Sequence, residues 1–461
     1  MSSLLDFFIK LGKLKTNKRK GWILYDIKDP ATTADHIFRA AILGWVLNSV
    51  SDKKKLNDAR IIKSILIHHL PDIYIGEEMP YDSLLPEDIS SEKDKDIIKK
   101  ILKKLPQVSA GMERKRAVQR QQVEEKTFHK IVAKLPNQIK EEIDGLWAEL
   151  NKRRTSLSKF AWESAKLESY LQALEYWRKE GKVQHKLWNK WTKKNLKESF
   201  IIKFRKEIDK ILIEKNKKCG ESILGELVRF LNEVGKLKSL KRTGWVLAQA
   251  KRPESVAQHT FQMAIMSWVL GKMKGLDTDR IVKIALAHDL CEVYAGDQTP
   301  YDPILAPNYN KEEIYKIVRK PARVPHSQRL VWLMKKKETE WKAVVRLTSL
   351  LPKELREEII NLWLDIEEGI TKEGRFVAQV DKMVNLFQAI EYWKKDKKFP
   401  IMPWWILIKE RVDDPILLKF VDELDREFAI ESKRFPEKIR ASERRNERGR
   451  NRGKVNSGLA S

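Results

Sequence analysis

The chain has 461 residues, 42% apolar and 34% charged, which excludes a disordered polymer and leaves room for two or three domains of ~100–200 residues each. The formal net charge of +27 makes polyanions the expected partners (nucleotides, nucleic acid, acidic membrane surfaces), although such a charge also serves solubility alone. Two cysteines, Cys219 and Cys291, exclude a disulfide framework or a Cys-rich zinc site and fit a reducing cytoplasm.

The chain opens "MSSLLDFFIKLGKLKTNKRKGW", apolar before basic, the reverse of a secretory leader. No stretch reaches ~18 uninterrupted apolar residues, so no membrane span is expected. "FPIMPWWILI", from Phe399 to Ile408, is short and broken by Pro. The informative feature is self-similarity. The "GKLK" starting at Gly12, Gly21–Trp22 and His36 recur 223 residues later as the "GKLK" starting at Gly235, Gly244–Trp245 and His259. His68 and the "PYD" starting at Pro80 recur after 220 residues, at His288 and Pro300. Leu135, Trp147 and the "EYW" starting at Glu175 recur after 216, at Leu351, Trp363 and Glu391. The order is kept while the offset drifts slowly. One unit is therefore present twice, over residues 4–180 and 223–400.

Between the copies, apolar residues at helical spacing (Leu196, Phe200, Phe204, Ile208, Ile211) predict a helical connector over 181–222. A C-terminal helical segment follows over 401–432. From Lys433 to Lys454 there are ten Lys/Arg against three Glu, which predicts a disordered basic tail over 433–461 that could touch nucleic acid. Within the second copy, Ser255-x-x-Gln258 predicts a helix start. One helix is expected from Asp279 to Gly296, another from beyond Leu351 to Gly369, and a third across "EGRFVAQVDKMVNLFQAIEYWKKDKK". No alternating strand pattern occurs. The expected fold is all-α, with five or more helices per copy.

Four ionisable residues fall at apolar positions of these helices: His259, the adjacent His288 and Asp289, and Asp381. A buried carboxylate without a partner is costly. Two imidazoles and two carboxylates from three helices instead suit a divalent ion with mixed N/O ligation. Any one of the histidines alone reads equally as a satisfied core residue. Glu292 lies four residues after His288, on the same face of a continuous helix, and could take a proton from an activated water. Asp297 follows beside Gly296, at a place where Asp is also an ordinary turn residue. Arg242, Trp245 and Arg252 precede the His259 helix. Arginine forks suit phosphate, and tryptophan can stack on a base.

The blocks "KRTGWVLAQAKRPESVAQH", "ALAHDLCEVYAGDQTPYD" and "RFVAQVDKMVNLFQAIEY" resemble the HD-domain phosphohydrolases. Within them they resemble the 5′-deoxynucleotidase branch that includes HD domain-containing protein 2. The resemblance covers 223–400. It implies an all-α HD fold that hydrolyses deoxyribonucleoside 5′-monophosphates with one divalent ion per active domain (Mn, Co, Mg, Zn or Fe). It implies that His259, His288, Asp289 and Asp381 hold the ion, and that Glu292 and Asp297 manage the water nucleophile and the leaving-group proton. Arg242 and Trp245 would approach phosphate and nucleoside. Residues 303–342 are longer and more basic than the family pattern.

On the same alignment the first copy keeps His36, His68, Arg19 and Trp22. His69 stands for Asp289, Asp72 for Glu292, Glu77 for Asp297, Asp29 for Arg252 and Ala165 for Asp381. Two of four ligands have changed, so the first copy is expected to lack phosphatase activity. Its three imidazoles could still bind zinc. Family members tend to be homodimers, so an inactive copy reads as an internal pseudo-dimer partner in a monomer or homodimer. The alternatives are a basic nucleic-acid-binding protein on an HD scaffold, or an HD enzyme acting on a phosphodiester or an alarmone.

Overall fold

Both copies start their central helix by the same local rule. Thr32 and Ser255 sit in extended backbone, and their hydroxyls accept the N–H groups of Asp35 and Gln258, whose side chains bond back. These capping boxes begin the helices Thr33–Ser49 and Val256–Met273, as expected from Ser255-x-x-Gln258. Both helices are buried almost all round, so they form the middle of the molecule rather than a surface layer. They pack on each other, and their capping boxes touch. The Ser255 hydroxyl donates to Asp35 at 2.6 Å, and the Gln258 amide donates to Thr32 at 3.1 Å.

The computed structural model describes residues 1–52, 55–77, 85, 92–104, 110–214 and 222–428. Among these the secondary structure is helical, with two isolated bridges at matching places, Lys18 to Thr32 and Lys241 to Ser255. No helix among them is long and apolar enough to cross a membrane. The basic tail over 433–461, Cys219 and the Pro80 motif lie outside the described residues. Each central helix is flanked by a short helix, Asp58–Ile67 or Thr278–Ala287. It also meets a long helix, Ser156–Glu180 or Lys372–Lys395. A further pair, Asn137–Lys152 and Lys353–Glu368, closes each unit, the second ending at Gly369 as the sequence suggested. Residues 303–342 hold a short 3-10 turn, the helix Lys311–Val318 and most of the 23-residue helix His326–Thr348. The first unit has a helix of the same 23 residues, Ala110–Val132.

The helices of the segment expected to connect the units pack on the first one. Its helices His185–Asn195 and Ser199–Leu212 pack on Ser156–Glu180, as Met402–Arg411 and Pro415–Phe428 pack on Lys372–Lys395. Trp188 stacks on Trp22 with centroids 5.2 Å apart, and Trp404 stacks on Trp245 at 4.7 Å. Apolar spacing announces a helix with one buried face, but it does not name the surface that covers the face.

The first helix of each unit docks on the other unit. Ser2–Leu11 packs against Pro415–Phe428, with Phe8 edge-on to Phe420 at 5.7 Å. Ile223–Gly235 packs against Ser199–Leu212 and Thr33–Ser49. Two lysines, each held by a glutamate of its own unit, make reciprocal contacts with the other unit. Lys63 donates to Glu142 and to Thr278 at 2.9 and 2.8 Å and lies over Trp268. Lys283 donates to Glu358 and to Asp58 at 2.6 and 3.0 Å and lies over Trp45. The two lysines thus hold matching positions in the two units and reach across to matching helices.

Candidate metal centre and active site

His259 projects from the first turn of its central helix and is fully buried. Asp381 projects from the helix Lys372–Lys395, with Oδ1 2.9 Å from His259 Nε2. His288 and Asp289 were expected in the middle of one helix running to Gly296. The helix instead ends at Ala287, and a turn over His288–Cys291 precedes the short helix Glu292–Ala295. The reason is local. His288 Nδ1 donates to the Ala285 carbonyl at 2.7 Å, and the backbone bonds that follow tighten to a three-residue step. That donation fixes the ring's proton on Nδ1 and turns Nε2 to within 2.9 Å of Asp289 Oδ2.

These contacts have an unusual character. The Nε2 atoms of His259 and His288 are buried, and a carboxylate oxygen lies 2.9 Å from each, close enough to pair with it but off the ring N–H axis. Imidazole nitrogens and carboxylate oxygens that converge in this way are arranged like ligands around a common ion. In an octahedron with ligands ~2.0–2.1 Å from the ion, neighbouring donors lie about 3 Å apart. His259, His288 and Asp289 offer ligand atoms within 4.8 Å of one another, and Asp381 joins them through His259. The donor set therefore fits a hard or borderline divalent ion.

Arg242 lies inside the acidic group. Its guanidinium is 2.7 Å from Asp289, 3.4 Å from Glu292 and 3.4 Å from Asp297. Asp297 also accepts the backbone N–H of Thr243, so it ties the Arg242 loop to the end of the Glu292 helix. Burial and the charges of Asp289 and Asp297 push the Glu292 carboxyl well above its usual range, against the pull of Arg242. Burial also acts on Asp289, but His288 and Arg242 outweigh it and hold that carboxyl low. Two neighbouring carboxylates are thus driven apart, which is how acid and base roles are separated in one site. Asp381 is held low as well, since Lys382 and His259 overcome its burial.

Two residues assigned to substrate stand elsewhere. Trp245 is 2% exposed, stacks on Trp404 and donates its N–H to Glu254 at 2.9 Å, so it is a core residue. Stacking on a base does not fit that placement. The Arg252 side chain is exposed and lines a separate cleft of about 1570 Å³ between the units, which does not include the four donors.

The model of the HD domain family matches residues 11–119, 110–201 and 234–402, well over half of the sequence. The chain belongs to the HD-domain family. Among its relatives, human 5′-deoxynucleotidase HDDC2 is 34% identical over 202 residues, covering 44% of this chain and 85% of that protein. The Dictyostelium discoideum protein of the same name is 35% identical over 179 residues, covering 37% and 80%. The 5′-deoxynucleotidase hdd1 of Schizosaccharomyces pombe is 32% identical over 173 residues, covering 37% and 73%. A solved structure of a conserved hypothetical protein from Pyrococcus furiosus is 25% identical and covers 43% of this chain and 99% of its own, with a TM-score of 0.32.

The first HD unit keeps the frame and two of the four donors. Arg19 pairs with Glu77 at 2.6 Å, and Glu77 accepts the Lys20 N–H at 2.7 Å, repeating the Arg242, Asp297 and Thr243 arrangement. At the metal position stand His36, His68 and His69, with ligand atoms within 4.8 Å of one another. Burial holds all three imidazoles below their usual range. Ala165 provides no ligand. One turn along the same helix, Glu168 accepts from His36 and Arg39. Sequence comparison missed Glu168, because Val384 is its counterpart in the second unit. It also missed Lys15 and Lys238. Lys238 crosses between units to Glu168 at 2.7 Å, and Lys15 crosses the other way to Glu254 and to Gln262 at 2.6 Å. The shared "GKLK" was the available signal, but lysines beside other lysines read as a solvated face.

Proposed function

We propose that the second HD unit is a metal-dependent phosphohydrolase that removes the 5′-phosphate from nucleoside monophosphates in the cytoplasm. The first unit is its internal, pseudo-symmetric partner and does not carry this reaction. The observation that carries the reading is the convergence of the buried Nε2 atoms of His259 and His288 with carboxylate oxygens of Asp381 and Asp289, each pair 2.9 Å apart. Relatives named 5′-deoxynucleotidases support the substrate class.

His259, His288, Asp289 and Asp381 would hold the ion. Once bound, a divalent ion lowers the pKa of water toward ~7 and offsets phosphoryl charge. Burial and the charges of Asp289 and Asp297 raise the Glu292 carboxyl well above its usual range, which suits it to hold a proton and deliver it to the departing oxygen. Asp297 fixes the loop that carries Arg242 through the Thr243 N–H. Arg242 offsets the acidic charge that would otherwise repel a phosphate, and the net charge of +27 draws anionic substrates from a distance.

The direct test is phosphate release from a panel of deoxyribo- and ribonucleoside 5′-monophosphates, each with Mn, Co, Mg, Zn or Fe, and with Asp289→Ala alongside. Release by the unaltered protein and none by Asp289→Ala is expected. Equal release by both, or none from any substrate with any metal, refutes the reading.

A further inference from the structure

The three imidazoles of the first unit are each held from behind. His36 Nδ1 faces Glu168, a carboxylate also held by Arg39 and Lys238. His68 Nδ1 lies 2.5 Å from the Ile65 carbonyl, which can only accept. His69 Nδ1 lies 2.7 Å from Asp72, itself held by Arg120 at 3.0 Å. The Nδ1 atoms of His36 and His68 therefore donate, and each of their Nε2 atoms is left with its lone pair, while His69 Nδ1 shares a hydrogen bond with Asp72. The Nε2 atoms of His36, which is buried, and His68, which is half-buried, face each other 3.3 Å apart. Two lone pairs at that distance repel unless a cation stands between them.

A proton would serve two nitrogens. The third ring decides for a metal: His69 is turned into the same space, its centroid 4.0 Å from that of His68 and 5.3 Å from that of His36. The spacing is also that of a tetrahedral ion, because zinc–nitrogen bonds of ~2.0–2.1 Å put neighbouring nitrogens about 3.3–3.4 Å apart. Three neutral imidazoles without a carboxylate among the ligands suit zinc rather than magnesium or manganese. Acceptors behind the ligating rings are the usual support of such sites. One of them, Glu168, is itself held by Lys238 from the second unit.

We propose that the first unit holds a zinc ion of its own on His36, His68 and His69. The fourth vertex is left to water or an anion, because Ala165 stands where the second unit has Asp381. The site differs in ligands, geometry and metal preference from the one in the second unit, and it does not depend on the activity proposed there. The loss of Asp381's counterpart changed the first unit's metal chemistry without erasing it.

The test uses the full chain with Asp289→Ala and Asp381→Ala, so that the second site is disabled. The protein is loaded with zinc, dialysed against metal-free buffer, and its metal is measured by mass spectrometry. One zinc per chain is expected to remain, and adding His69→Ala is expected to remove it. His69→Gln, closer in size, is measured in parallel, with helical circular dichroism as the control for folding. Cobalt replacement gives an independent readout, because tetrahedral cobalt absorbs visible light far more strongly than octahedral cobalt. A zinc-free double variant overturns the proposal, as does zinc that survives both His69 substitutions or a weak octahedral cobalt spectrum. Phosphate release is not read, so failure of the nucleotidase reading is a separate result.

Discussion

Asp365 ends one helix of the second unit and holds the start of the next. Its carboxylate accepts the Thr371 N–H and hydroxyl, both at 2.8 Å, and two Arg280 nitrogens at 2.9 and 2.5 Å. Gly374 permits this approach, since a Cβ there would lie 2.4 Å from the Asp365 carbonyl oxygen. Burial opposes the charge, but the Thr371 N–H and Arg280 prevail and the carboxyl is held below its usual range. A depressed folded-state pKa contributes stability that is complete above the unfolded value near ~4 and is lost as pH falls through the folded one. Asp365→Asn is therefore expected to cost about 1–3 kcal/mol at neutral pH and to flatten the acid limb of a stability–pH curve. An unchanged midpoint in neutral denaturant titrations would count against this role. Trp245 makes the complementary point. Trp245→Ala is expected to cost about 3–5 kcal/mol as a core truncation. A raised KM with unchanged thermal stability would restore it to the substrate. The sequence named Trp245 because aromatic rings serve cores and bases alike, and no local pattern separates the two. It named His259, His288, Asp289 and Asp381 because ionisable residues at apolar positions need partners, and the partners are one another.

At the scale of elements, helix existence was legible from periodicity and caps, and the Ser255 and Gly369 boundaries fell where they were expected. The break at His288 was not, because it follows from a side chain that takes the Ala285 carbonyl, which periodicity does not register. Nor was the exchange of first helices, since an amphipathic face does not name its partner. That exchange carries two buried lysines whose loss should be unequal. When Lys238 is replaced by Met, Glu168 keeps Arg39, and the expected cost is about 1–3 kcal/mol. When Lys15 is replaced by Met, Glu254 loses the cation that faces it inside the second unit, and the expected cost is about 3–5 kcal/mol. Chemical denaturation of the two variants orders them, and a Lys238 variant that proves the weaker would contradict the assignment.

For the whole molecule, the duplication was plain in the sequence, yet how the copies meet was not. The Lys63 and Lys283 contacts and the touching capping boxes pair residues more than 200 positions apart. With the first helix of each unit lodged on the other, the chain should unfold in one calorimetric transition. Two well-separated transitions would show that the units are independent. In the function proposed above, the first unit is scaffold for a second unit that does the chemistry, and one measurement bears on this proposal most directly: the rate of phosphate release from deoxyribonucleoside 5′-monophosphates by Asp381→Ala compared with the unaltered chain at equal metal. Even lost support behind a ligand costs ~10–100-fold, so loss of the ligand itself is expected to lower the rate at least ~100-fold with the fold intact. An undiminished rate would place the chemistry outside the His259, His288, Asp289 and Asp381 site.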